Sequence, residues 1–210
     1  MSKKLIIVFE GIEGSGKSFH LSNIKKYLKL YKKKFISLRE PGGSTGSEKI
    51  RKLILSNKSN FNMYTDLLLY LAARSENIDK IIKKNYKKKI ILIDRFVDST
   101  IAYQCYGMGI NKNFIQSINN KLLKNIKVDF TFLNIVNKKN LKKRLSKRKS
   151  LNRYDNFNIS FYEKVQKGFI KISKLNKNKY MIIDSNDKIK HNKIKILNKI
   201  KKLLNRKWHI

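Results

Sequence analysis

The chain has 210 residues, 41% of them hydrophobic, which suits one domain (residues 1–210) with a sizeable core and a mobile subregion. Its apolar runs exclude wholesale disorder, and none approaches the roughly eighteen residues needed to cross a bilayer. The N-terminal run is too short for a signal peptide, and the single cysteine, Cys105, rules out an internal disulfide and speaks against a cysteine-rich zinc site. A cytoplasmic protein without membrane association is therefore expected.

Fifty Lys and Arg against 14 Asp and Glu give a formal net charge of +36. One reading is a nucleic-acid or anionic-surface binder. The other is AT-rich codon usage, which also inflates the uncharged Asn and Ile. Charge alone speaks to solubility and association, so specific nucleic-acid binding is not expected. A nucleic-acid-binding protein stays as the alternative from outside the enzymes, and it predicts a steep salt dependence of binding.

In chain order, residues 5–9 (LIIVF) read as a buried strand. Residues 18–31 read as a helix with Leu21, Ile24 and Leu28 on one face. Residues 35–38 are a second strand, followed by a turn at Glu40-Pro41-Gly42-Gly43-Ser44 that holds the only proline. Ile50, Leu53 and Ile54 mark a helix, and residues 67–82 a longer one. Residues 90–93 (IILI) form a third strand ending at Asp94-Arg95. Helical pattern returns from about Ser99 and again over 114–123. Residues 130–136 are a fourth strand, 141–145 a short helix entering a basic stretch, 161–175 a helix, 180–183 a fifth strand and 189–204 a closing helix. Short apolar strands alternating with helices predict an α/β fold, a five-stranded parallel sheet with helices on both faces and right-handed crossovers.

Gly11-Ile12-Glu13-Gly14-Ser15-Gly16-Lys17-Ser18 fits G-x-x-x-x-G-K-[ST], with a strand before it and an amphipathic helix after it. Such a loop turns its backbone N–H groups inward around phosphates, and glycine is needed where a Cβ would clash or φ must be positive. The next helix aims its dipole at the anion. Lys17 would hold the β/γ-phosphates of ATP, and the Ser18 hydroxyl would reach Mg²⁺. Asp94 ends a buried strand at the sheet edge that faces a ligand crevice. A carboxylate there can hold Mg²⁺ or cap a helix; the all-apolar strand and the following Arg95 favour the metal.

Further motifs occur in order. They are Arg39-Glu40-Pro41-Gly42-Gly43, Glu48-x-x-Arg51, Tyr70-x-x-x-Arg74 and Asp94-Arg95-Phe96-x-x-Ser99-Thr100-x-x-Tyr103-Gln104. With the phosphate loop they resemble the bacterial thymidylate kinases, over residues 5–184. The resemblance implies a P-loop nucleoside monophosphate kinase that passes the γ-phosphate of ATP to dTMP, giving dTDP and ADP for dTTP synthesis, and it implies a homodimer. It also implies Arg51 and Arg95 on the 5′-phosphate of dTMP, Arg74 near the thymine edge, Thr100 and Gln104 at its polar atoms, and Tyr103 against the deoxyribose. Glu13 and Glu40 would position acceptor-side groups, and the Glu40–Pro41 peptide would be cis. Tyr70 stands where the family carries an aromatic residue, usually Phe, stacked on the base; its added hydroxyl needs a polar partner if buried.

Spacing is consistent with this, since Tyr70 and Arg74 share a helix face, as do Thr100, Tyr103 and Gln104. Taken alone, core packing is the lesser alternative for the two tyrosines, and a solvated side chain is an equal alternative for Arg51 and Arg74. The phosphate loop carries no arginine, which in the resembling family goes with arginines delivered by a lid, here about residues 144–155. Arg148 and Arg153 are the predicted catalytic donors beside Lys17 and Arg95, with Arg144 in support; the same stretch could also be a solvated basic loop. A regulatory GTPase is disfavoured because Asn137-Lys138-Lys139-Asn140 lacks the final Asp of a guanine signature.

Overall fold

The computed structural model describes residues 4–147 and 152–205. Five strands, β1 (Ile6–Glu10), β2 (Phe35–Arg39), β3 (Ile90–Asp94), β4 (Phe130–Ile135) and β5 (Tyr180–Asp184), form one parallel sheet in the order β2-β3-β1-β4-β5. This is the predicted architecture. The three central strands β1, β3 and β4 are buried along nearly their whole length because both faces are covered, the usual condition of a parallel sheet, whereas the edge strands β2 and β5 each bury one residue, Leu38 and Ile183.

Helices α1 (Lys17–Leu30) and α9 (Ile189–Asn205) cover one face, where Leu21, Ile24, Ile196 and Ile200 pack on Phe9, Phe132 and Ile183. The stacked rings of Phe9 and Phe132 lie 5.1 Å apart. On the other face Ile6, Val8, Ile91 and Ile93 meet Ile78, Ile82 and Phe96. A third cluster joins α2 (Thr45–Leu55), α3 (Met63–Asn77), α6 (Lys112–Leu123) and α8 (Ile159–Leu175).

Several boundaries depart from the sequence reading for local reasons. α3 starts four residues before the first periodic leucine because the Asn62 side chain caps it, accepting from Thr65 N at 2.9 Å. Its end runs into a π-helical turn, Ile78–Ile82, and then α4 (Lys83–Asn85). α5 (Val97–Thr100) likewise passes into a π-helical segment, Ile101–Gly107, where Met108 N donates to Tyr103 O at 3.0 Å. The Asn137-Lys138-Lys139-Asn140 stretch is a helix start: Asn137 caps α7 (Lys138–Leu145) by accepting from Asn140 N at 2.8 Å.

Candidate active site

At the C-terminal edge of β1 the chain enters the phosphate loop. Gly11 stands at φ 136°, and a Cβ there would lie 2.2 Å from the Asn134 carbonyl oxygen, so only glycine fits between the loop and β4. Gly16, at φ 87°, caps α1 without a side chain, leaving the first amides of the helix for an anion. Arg144 clamps the outside of the loop, donating to Gly14 O at 2.8 Å and to Ser185 O at 2.7 Å. Its role here is to hold the loop.

Lys17 is buried and folds back over the loop, its ammonium donating to Gly11 O at 2.8 Å and Ile12 O at 2.9 Å. Burial, aided by the nearby Arg95, lowers its pKa to about 8. The Ser18 hydroxyl lies 3.3 Å from Asp94 Oδ2, and Asp94 Oδ1 is buried without a hydrogen-bond partner. A carboxylate oxygen left over beside a serine hydroxyl and a phosphate loop fits Mg²⁺, which takes one or two protein oxygens and fills its shell with water and substrate phosphate. No cluster of three or more His, Cys, Asp or Glu able to hold a metal occurs among the described residues.

A cavity of about 270 Å³ opens beside Lys17 and Ser18, and every predicted acceptor-side residue lines it: Glu13, Glu40, Arg51, Tyr70, Arg74, Arg95, Thr100, Tyr103 and Gln104. These come from the phosphate loop, the turn after β2, α2, α3 and the segment after β3.

At the centre, Arg95 Nη2 donates to Glu13 Oε1 at 2.7 Å, and the Tyr103 hydroxyl donates to Glu13 Oε2. The guanidinium sits 5.3 Å from the Tyr103 ring centroid. Burial alone would raise the Glu13 carboxyl, but Arg95, Lys17 and the Tyr103 hydroxyl together carry it below the usual range. Arg51 donates to Pro41 O at 2.7 Å, and the Glu40–Pro41 peptide is cis, as expected. Burial and the repulsion of Arg39 and Arg95 lower the Arg51 pKa. Three guanidinium groups within electrostatic reach of one another mark a place for an anion.

Arg74 is 2% exposed and commits most of its fork to protein. It donates to Glu40 Oε2 (2.8 Å), Asn119 Oδ1 (2.7 Å), Phe96 O (2.9 Å) and Thr100 Oγ1 (2.9 Å). Burial outweighs this partner at Glu40, whose pKa is raised. Gln104 is buried next to this network with its Nε2 donor unpaired. The ring of Tyr70 packs edge-on to Tyr154 at 5.9 Å, and burial raises the pKa of its hydroxyl.

Arg153 does not line the cavity. Its guanidinium donates to Ile54 O at 3.1 Å, pairs with the buried carboxylate of Asp66, and lies over the rings of Phe61 and Tyr154. In this structure Arg153 is tied to α3 through Asp66 rather than facing the phosphate loop, a charge-assisted contact with a desolvated acceptor. Arg148, the other predicted lid donor, lies outside the described residues.

The sequence reading passed over Glu10, Asp66, Asn119 and Tyr154, and it gave Ser99 no role. Glu10 had a signal: like Asp94, it is a carboxylate ending an otherwise apolar strand. The others are contacts between distant segments, with no local mark.

Among known proteins, the family described as thymidylate kinase matches residues 9–196. A thymidylate kinase of Thermosipho africanus is 40% identical over 186 residues, covering 88% of this chain and 92% of its own length. One of Acholeplasma laidlawii is 38% identical, with the same shares covered. The crystal structure of an Ehrlichia chaffeensis thymidylate kinase superposes with a TM-score of 0.76 at 30% identity, covering 95% of this chain and 99% of that one.

Proposed function

This chain belongs to the thymidylate kinase family, an ATP-dependent nucleoside monophosphate kinase acting on dTMP, and we propose that the cavity beside the phosphate loop is where it joins the two nucleotides. The observation carrying this reading is the convergence of Arg51, Tyr70, Arg74 and Arg95 on one cavity that also touches Lys17 and Ser18.

In this reading the phosphate loop and Lys17 hold the β/γ-phosphates of ATP, the Lys17 ammonium exchanging its loop carbonyls for phosphate oxygens. Arg51 and Arg95 hold the 5′-phosphate of dTMP. The Tyr70 ring stacks on the base, and Gln104 Nε2 gains an acceptor from its edge, near Thr100 and Arg74. Tyr103 lies against the deoxyribose. Ser18 and Asp94 would hold Mg²⁺, which when bound neutralises phosphate charge. An acceptor phosphate oxygen then attacks the γ-phosphorus in line. Positioning and charge neutralisation supply the catalysis, with no covalent intermediate and no strong base. Arg148 is kept as the donor expected from a lid at about residues 144–155.

Homodimerisation has a physical basis in the exposed Leu53, Met63, Tyr64, Leu68 and Phe114 on α2, α3 and α6. A monomeric mass in solution at tens of micromolar would remove that part. No described helix is long and apolar enough to cross a membrane, and a cytoplasmic place suits a consumer of ATP.

The test of the whole reading is ADP release measured across all nucleoside monophosphates. The expected acceptor is dTMP, and turnover of AMP or GMP with none of dTMP would refute it. Lys17→Ala should abolish turnover with the fold intact.

A further inference from the structure

β1 ends in a carboxylate that the transfer reaction leaves unexplained. Glu10 is 1% exposed, and both its oxygens are engaged by the turn after β3. Oε1 accepts from the amides of Phe96 at 2.8 Å and Ser99 at 3.3 Å, and Oε2 accepts from the Ser99 hydroxyl at 2.5 Å. Phe96 is the N-cap residue just before α5, and it brings no capping side chain of its own. A neighbouring strand thus supplies what a Ser or Asp at that position would supply locally. Such a local cap is worth about 1 kcal/mol, whereas taking a carboxylate out of water costs several. Burial and the nearby Asp98 push the Glu10 carboxyl up to about 7. Capping so short a helix does not offset that cost.

What the turn does hold is Arg95. Its φ is 67°, a left-handed conformation that costs a residue with a Cβ about 1–2 kcal/mol. A backbone of this kind persists where its surroundings over-determine it. Here two consecutive residues of β1 bracket it: Arg95 N donates to Phe9 O at 3.0 Å, and Glu10 takes the next amide. The guanidinium also returns to the same support, since Arg95 Nη1 donates at 3.4 Å to the Ser99 hydroxyl that Glu10 holds. Its other end is on Glu13, in the cavity.

We propose that Glu10 is a positioning residue for phosphoryl transfer, holding the Arg95 turn and, through Ser99, the direction in which the guanidinium enters the cavity. This rests on the placement of Arg95 at the acceptor phosphate. A guanidinium released from it keeps its charge and loses its aim, and a misplacement of about 1 Å can cost on the order of a hundredfold in rate.

The test is steady-state ADP release with dTMP for Glu10→Gln, Ser99→Ala and Arg95→Ala, and for Glu10→Gln combined with Arg95→Ala. Glu10→Gln keeps the shape but replaces one acceptor oxygen with a donor. It should lower kcat at least about tenfold with KM for ATP nearly unchanged, and Ser99→Ala should move kcat in the same direction. In the Arg95→Ala background, Glu10→Gln should change the residual kcat by less than about twofold, because the two then act as one unit. A role in stability alone would lower activity by the same factor in both backgrounds, and that result overturns the proposal, as does full kcat in Glu10→Gln. Full turnover in Arg95→Ala removes the assignment of Arg95 itself, a separate failure. If Glu10→Gln does not fold, Ser99→Ala in the two backgrounds separates positioning from stability in the same way.

Discussion

Replacing Arg74 by Met should unfold this protein more readily than almost any other single change in the cavity wall. The side chain is 2% exposed, and its partner Glu40 is 4% exposed. Removing one member of a buried pair leaves the other charge uncompensated, at a cost of about 3–5 kcal/mol. Phe96 O, Thr100 Oγ1 and Asn119 Oδ1 lose their donor as well, though relaxation makes these losses less than additive. A net loss of about 4 kcal/mol is expected, which for a chain of this length lowers Tm by roughly 8–16 °C. Urea unfolding and calorimetry without nucleotide would measure it. The sign with pH is fixed by Glu40, whose folded pKa is already raised by burial. A raised carboxyl favours the fold at low pH and loses that benefit as pH rises through the folded value. Without Arg74 the value rises further, so the deficit of Arg74→Met should shrink toward pH 5 and grow toward pH 8. Adding Glu40→Leu should recover part of the loss, because an apolar pair replaces a lone charge. A loss below about 1 kcal/mol, the size of a surface ion pair, would refute the reasoning.

Two further outcomes follow from the phosphate loop. Lys17 has a pKa lowered to about 8, so its protonated form is a penalty on the fold below that pH, relieved as pH rises toward the ordinary lysine value. Bound triphosphate opposes the shift, so ATP binding at pH 8.5 should be accompanied by net proton uptake, read by calorimetry in two buffers of different ionisation enthalpy. No uptake would mean that Lys17 is already fully charged in the free protein. Gly11→Ala places a Cβ 2.2 Å from Asn134 O, whereas Gly109→Ala at φ 86° meets open space. The first should cost about 3 kcal/mol or more and abolish ATP-induced thermal stabilisation, and the second only about 1–2 kcal/mol of backbone strain. Equal losses would mean that the contact with β4 is not what demands glycine.

The sheet was legible because its evidence is local. Each strand is built round a short, largely apolar run between turn residues, and for the buried central strands that run is nearly continuous. The phosphate loop was legible for the same reason, its glycines, Lys17 and Ser18 being neighbours in sequence. The acceptor-side roles of Arg51, Tyr70, Arg74 and Arg95 came from the family resemblance, since spacing alone left Arg51 and Arg74 as readily solvated and Tyr70 open to a core reading. What stayed hidden was competition between segments. The pairing of Arg153 with Asp66, 87 residues earlier, has no mark in either local stretch of sequence. The π-helical segment Ile101–Gly107 has no mark in its composition, yet it sets how Tyr103 and Gln104 face the cavity. The four-way engagement of Arg74 draws on Glu40, Phe96, Thr100 and Asn119, a combination that no window of sequence contains.

That engagement bears on attempts to redirect the enzyme toward other bases. A side chain that ties α3 to the turn after β2, to the segment after β3 and to α6 cannot be exchanged to suit a new ligand without loosening all of them. Gln104 carries an unpaired donor, and the Tyr70 ring is held by edge-on packing against Tyr154. Redesign of acceptor preference therefore has room at 70 and 104 and almost none at 74.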